Sequence, residues 1–171
     1  MLSSRLSSRT QSADPLLPIE IVSRYREVAP VDVFSLARDL GIPVKLDPAI
    51  SDCAGMILSD AGGSPSGYRI VINANDSPRR QRFTLAHEIA HYIFHRDLIG
   101  DGIKDDAMFR SKLRDEFERQ ADSAAANILL PADLVRKVYR AGVVSLVELT
   151  QRFNVSEQSL RIRLKELGLA P

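Results

Sequence analysis

The chain has 171 residues, enough for one domain with a real core or for one plus a small helical appendage. Its 44% apolar and 26% charged content is that of an ordinary globular protein, and 23 Lys and Arg against 22 Asp and Glu leave a net charge of +1, so nothing calls for a nucleic-acid or membrane partner. No apolar run approaches the ~20 residues of a membrane span, and the single cysteine, Cys53, excludes an internal disulfide.

Residues 1–14, rich in Ser and Arg, offer nothing to bury and are expected to form a disordered leader. No hydrophobic stretch follows the arginines, so they do not form a secretory signal. Leu16 to Val28 reads as a helix with Ile19, Val22 and Tyr25 on its apolar side, ended by Pro30. Val31 to Leu40 is a second short helix, with Gly41 at its C′ position. Ile42 to Leu46 is expected as an edge strand, because Pro43 cannot donate to a ladder. Cys53 lies in the turn-like Asp52-Cys53-Ala54-Gly55 with no second cysteine near it. A buried structural thiol is expected there, and a lone cysteine fits a reducing, cytoplasmic setting.

Met56 to Leu58 and Tyr68 to Ile72 read as a hairpin pair, joined by the Gly-, Ser- and Pro-rich Asp60–Gly67. The second of these strands, ending Ile70-Val71-Ile72-Asn73, is expected to offer an edge to an extended substrate. Ser77 and Pro78 then open a helix that runs to about His95. Phe83, Ala86, Ala90 and Phe94 mark one apolar stripe on it, and Leu85, Ile89 and Ile93 another, so this helix is central. Asp97 to Asp106 is a polar loop, and a further helix from about Ser111 to Leu130 stops at Pro131. Its Ala121, Ala124, Ala125 and Ala126 are small enough for close approach of a neighbouring helix. The last 40 residues or so are helical.

The chemistry sits in the central helix, as Ala86-His87-Glu88-Ile89-Ala90-His91. Two histidines four residues apart share one face, so both imidazoles can reach a single ion. Zn2+ takes three protein ligands in a catalytic site and leaves one position for water. Glu88, beside the first histidine, is then placed as general base. A third ligand is needed. His95 keeps the four-residue spacing, but it stands about 12 Å along the helix from His87, too far to share the ion. It is expected as a helix-end residue or a substrate contact. Glu118 stands out on the next helix, one turn from Asp122, with Asp115 and Glu116 as alternatives. One carboxylate binds the metal, and the other accepts the outer N–H of a ligating imidazole. Tyr68, Tyr92 and His95 are the candidate oxyanion donors.

Arg82 to His91, followed by Glu118-Arg119-Gln120-Ala121-Asp122 and Leu129-Leu130-Pro131, is similar to the ImmA/IrrE family of bacterial and phage metallopeptidases, from about Pro30 through the C-terminal helices. The resemblance implies metal ligands His87, His91 and Glu118 and general base Glu88, in a gluzincin-like arrangement. It further implies cleavage of a helix-turn-helix repressor that releases stress-response or mobile-element genes. Ala124 and Leu130 depart from the pattern, where Phe and Met are usual. Both positions concern packing.

The expected fold is α+β: a small antiparallel sheet packed with a zincin-type H-E-x-x-H helix and further helices. A metallopeptidase domain is expected over 15–135 and a helix-turn-helix-like segment over 136–171. In that segment Ser156 caps a last helix carrying Arg161, Arg163 and Lys165. Seven basic against three acidic residues there give a net of +4, mild for a DNA reader, so packing or recognition of a protein substrate is favoured. The readings that compete with a cytoplasmic zinc endopeptidase are a non-catalytic zinc-containing binding module and a DNA-binding regulator.

Overall fold

The computed structural model describes residues 17–99 and 107–169, without the side chains of 107–113. The leader expected over 1–14 and most of the loop expected over Asp97–Asp106 lie outside the described residues. In chain order the elements are α1 (Pro18–Arg24), α2 (Val33–Asp39), β1 (Val44–Asp47), β2 (Gly55–Ser59), β3 (Tyr68–Asn73) and α3 (Pro78–Phe94). A 3-10 turn (Arg96–Leu98) follows, then α4 (Ala107–Leu129), α5 (Ala132–Arg140), α6 (Leu146–Phe153) and α7 (Glu157–Glu166). The expected α+β class holds, with a helical C-terminal stretch. None of the described helices is long and apolar enough to cross a membrane.

Local chemistry sets the element ends. Gly41 takes φ +73° after α2, with its N–H on Arg38 O at 2.9 Å and the N–H of Ile42 on Ala37 O at 2.9 Å. Those two bonds form a Schellman motif, which needs a residue tolerant of the left-handed region. At the start of α3 the Ser77 hydroxyl accepts from the Arg80 N–H, and Pro78 gives up no helical donor.

The strand order is β1-β3-β2. β2 and β3 pair antiparallel as the hairpin pattern predicts, with Ile57 opposite Ile70 and Ser59 opposite Tyr68. β1 joins the other side of β3 in parallel, Val44 opposite Ile70, so the sheet is mixed. This order corrects the expectation that β3 supplies a substrate edge. Ile70 and Ile72 are fully buried, which suits the middle of a sheet, and both edges of β3 are taken by its neighbours. The free edges belong to β1 and β2. Cys53 is a second correction, since it is a free, exposed thiol. It lies in the connection from β1 to β2, directly after the exposed Ser51 and Asp52.

α3 packs on β2, β3 and α4. Its Leu85, Ala86, Ile89 and Ala90 are fully buried. Ala121 and Ala125 of α4 are fully buried too, so small side chains bring that helix close. Phe94 leaves the expected stripe and is 49% exposed, because it closes the last turn of α3. Gly55 marks a close approach of sheet to helix: a Cβ there would stand 2.5 Å from Thr84 Cγ2. The C-terminal helices share the same core through Leu149, Phe153, Leu160 and Leu164, each contributing ~1.5–3 kcal/mol by burial.

Two arginines fasten that segment. Arg82 of α3 donates to Asn154 O at 3.3 Å and to Val31 O at 2.9 Å. Arg163 of α7, 7% exposed, donates to Leu130 O at 3.0 Å, to Glu166 and to Asn127. Ser156 caps α7 as expected, accepting from the Ser159 N–H at 3.1 Å. Of the three basic residues the α7 sequence displays, Arg163 is thus spent inside, and Arg161 pairs with Glu157 at 2.7 Å. That leaves α7 with a weakly charged outer face.

Candidate metal centre

The helical repeat of α3 sends Leu85, Ala86, Ile89 and Ala90 into the core and leaves His87 and His91 side by side at its margin. Their rings are edge to face, with centroids 4.6 Å apart, and their Nε2 atoms are 3.0 Å apart. Glu118 reaches over from α4. Its Oε2 lies 3.2 Å from His87 Nε2 and 3.7 Å from His91 Nε2. The three atoms form a near-equilateral triangle. Donors on a tetrahedral ion held at ~2.0–2.2 Å stand ~3.3–3.6 Å apart, so His87, His91 and Glu118 fit a zinc-sized cation. Asp115 and Glu116, the alternatives on the sequence, are exposed and stand outside the triangle.

Protonation supports the same fit. Asp122 Oδ1 lies 2.9 Å from His87 Nδ1, and a carboxylate only accepts. His87 therefore carries its proton on Nδ1 and turns a bare Nε2 into the triangle. Burial, with His87 beside it, holds His91 below the usual histidine pKa, which keeps it the neutral imidazole a metal requires. His87 Nε2 and His91 Nε2, 3.0 Å apart beside a carboxylate oxygen, converge as the donors of a cation site do.

Glu88 is placed differently. It is 8% exposed, and burial pushes its carboxyl up to about 7, with Glu118 adding and His87 and the Ile57 N–H opposing. A base poised near neutral pH suits proton transfer. The Ile57 bond also locates the sheet. Ile70 N–H donates to Pro43 O at 2.9 Å, so Ile70 faces β1, and Ile57 opposite it turns its own N–H to the free edge of β2. That N–H bonds Glu88. The open edge beside the site is therefore β2.

His95 caps the C-terminus of α3, as the helix-end reading expects, and is buried at 5% exposure, out of reach as a substrate contact. Its two ring nitrogens are occupied, Nδ1 with His91 Nδ1 at 3.0 Å and Nε2 with Gln120 Oε1 at 2.8 Å. The contact to His91 follows from the four-residue spacing. Gln120 carries no sequence signal of its own. Tyr68 and Tyr92 are likewise engaged as structure: the Tyr68 hydroxyl donates to Arg96 O at 3.4 Å, and the Arg96 guanidinium lies 4.3 Å over the ring of Tyr92.

Residues 37–165 match the family model described as Peptidase M78, IrrE N-terminal-like domain. The radiation response metalloprotease IrrE of Deinococcus deserti is 36% identical, over 66% of this chain and 41% of its own length. The protein of the same name from Deinococcus radiodurans is 38% identical, over 66% of this chain and 35% of its own. The chain thus spans less than half the length of these relatives. Among solved structures, a Mycobacterium tuberculosis transcriptional regulator superposes with a TM-score of 0.61 at 20% identity, over 86% of this chain and 46% of that one. That likeness is one of fold.

Proposed function

The chain belongs to the Peptidase M78, IrrE N-terminal-like family, and from that premise we propose that it is a zinc-dependent endopeptidase acting in the cytoplasm on a regulatory protein. The observation that carries the reading is the triangle of His87 Nε2, His91 Nε2 and Glu118 Oε2, with sides of 3.0, 3.2 and 3.7 Å. These three residues hold the ion, and Asp122 fixes the His87 tautomer. The bound ion supplies Lewis-acid activation of water and of a peptide carbonyl.

Glu88 is the general base. Its buried carboxylate, pushed up to about 7, takes a proton from the attacking water and returns it to the leaving amine. An extended substrate segment adds to the free edge of β2, where the outward C=O groups of Gly55, Ile57 and Ser59 and the outward N–H groups of Gly55 and Ser59 supply ladder bonds, the Ile57 N–H being held by Glu88. Occupying that edge brings a backbone past Glu88. An open groove from Asp122 past Arg119, Phe83 and Ile162 to the start of α7 gives the C-terminal helices a share in holding the substrate. The family resemblance favours a helix-turn-helix transcriptional repressor as that substrate, and relatives named as radiation response metalloproteases suit a regulatory target.

The test is Glu88→Gln expressed beside wild type, with new N-termini in the cell's proteins labelled and identified. Wild type should cut one regulator, and Glu88→Gln should leave it whole while keeping its metal. If both proteins act alike in cells and only the ligand variants fail, the binding-module reading replaces this one.

A further inference from the structure

The two metal-facing histidines owe their tautomers to different partners. His87 leans on a carboxylate, Asp122, which only accepts. His91 leans on another imidazole, its Nδ1 3.0 Å from His95 Nδ1, and an imidazole nitrogen either donates or accepts. The choice is made one residue further out. His95 Nε2 lies 2.8 Å from Gln120 Oε1, an amide oxygen, which only accepts. His95 therefore carries its proton on Nε2 and leaves Nδ1 bare. His91 donates Nδ1–H to that bare nitrogen, and its own Nε2 is free to face His87 and Glu118. Run in reverse, the same row would put a proton on His91 Nε2 and close the triangle.

The ring that relays this choice is clamped. His95 is 5% exposed, stands between the rings of His91 and Phe117 at 5.0 and 4.9 Å, and donates its backbone N–H to His91 O at 2.8 Å. From this row we infer that His95 and Gln120 are positioning residues, which hold His91 in its Nδ1–H form and so present Nε2 to the metal. The inference rests on the metal-site reading above and carries it outward through neutral groups, where His87 uses a charged one.

The experiment uses the full chain at pH 8 with two readouts. One is Zn2+ affinity by competition with a chromophoric chelator. The other is the 15N spectrum of the histidine rings in metal-free protein, which separates Nδ1–H from Nε2–H. Wild type should show His91 as Nδ1–H and His95 as Nε2–H. Gln120→Met keeps the length and helix preference but removes the acceptor. It should mix both tautomers and weaken Zn2+ binding about 10–100-fold, the usual cost of removing an outer partner. Gln120→Glu restores the acceptor and should restore the wild-type tautomers, whereas a charge effect alone would move affinity without moving the ring signals. His95→Phe should lose at least as much affinity; the Gln120 pair carries the test, because position 120 is exposed. Unchanged tautomers in Gln120→Met, with or without a loss of affinity, would overturn the relay. A wild-type chain that binds no Zn2+ would overturn the metal-site reading itself, and the relay with it.

Discussion

Replacing Glu88 by Gln should make the metal-free protein more stable, by an amount that depends on pH. Burial raises the carboxyl from 4.5 to about 7, so the fold favours its protonated form. At ~1.36 kcal/mol per pH unit, holding it ionised above pH 7 costs the native state up to about 3 kcal/mol, given a rise from 4.5 to about 7. The sign follows from a folded pKa above the unfolded one. The cost is absent below pH 4.5, grows between 4.5 and 7, and is complete above 7. Gln has the same shape and never ionises, so it escapes the cost at every pH. His91 acts with the opposite sign, because burial lowers its pKa, but it is present in both proteins and cancels in the difference. Urea unfolding in the presence of EDTA measures this directly. The variant should exceed wild type by under ~1 kcal/mol at pH 5 and by about 3 kcal/mol at pH 8.5. For a chain of this size the larger gap is about 6–12 °C in Tm. Adding metal should narrow it, since a nearby cation favours the ionised carboxylate. A gap that is equal at both pH values, or a variant less stable than wild type at pH 8.5, would refute the reasoning.

Three further outcomes follow from the packing and the site. Asp122→Ala should leave the fold intact but weaken metal binding about 10–100-fold in a chelator competition, because His87 loses the acceptor that sets its tautomer. Gly55→Ala puts a Cβ 2.5 Å from Thr84 Cγ2 and 3.0 Å from Val71 O, and should lower unfolding free energy by about 1–3 kcal/mol as β2 is pushed off α3. Arg163→Met leaves the Leu130 carbonyl buried without its donor and should cost about 1–3 kcal/mol, seen as a lower urea midpoint.

The parts of this molecule that rest on local rules are readable in the chain. Ser77 and Pro78 open α3, Gly41 closes α2, and the four-residue spacing puts His87 and His91 on one face, because each depends on a few neighbouring residues. Glu118 and Asp122 follow from the same helical repeat, read on α4. What the chain conceals is order in space. Alternating apolar residues in β3 say which face is buried, but not which strand lies beside it, so the edge next to Glu88 belongs to β2 where β3 was expected. Cys53 escaped for a related reason, since a short apolar-flanked turn says nothing of what covers it. Gln120 is a partner across helices, and no periodicity links it to His95.

The central claim is a zinc ion held by His87, His91 and Glu118. Anomalous diffraction at the zinc edge, from crystals of protein purified without added metal, tests it most directly. One peak per chain is expected, bonded to His87 Nε2, His91 Nε2 and a Glu118 oxygen, with His95 turned away toward Gln120. No peak, or a peak bound through His95, would contradict the account.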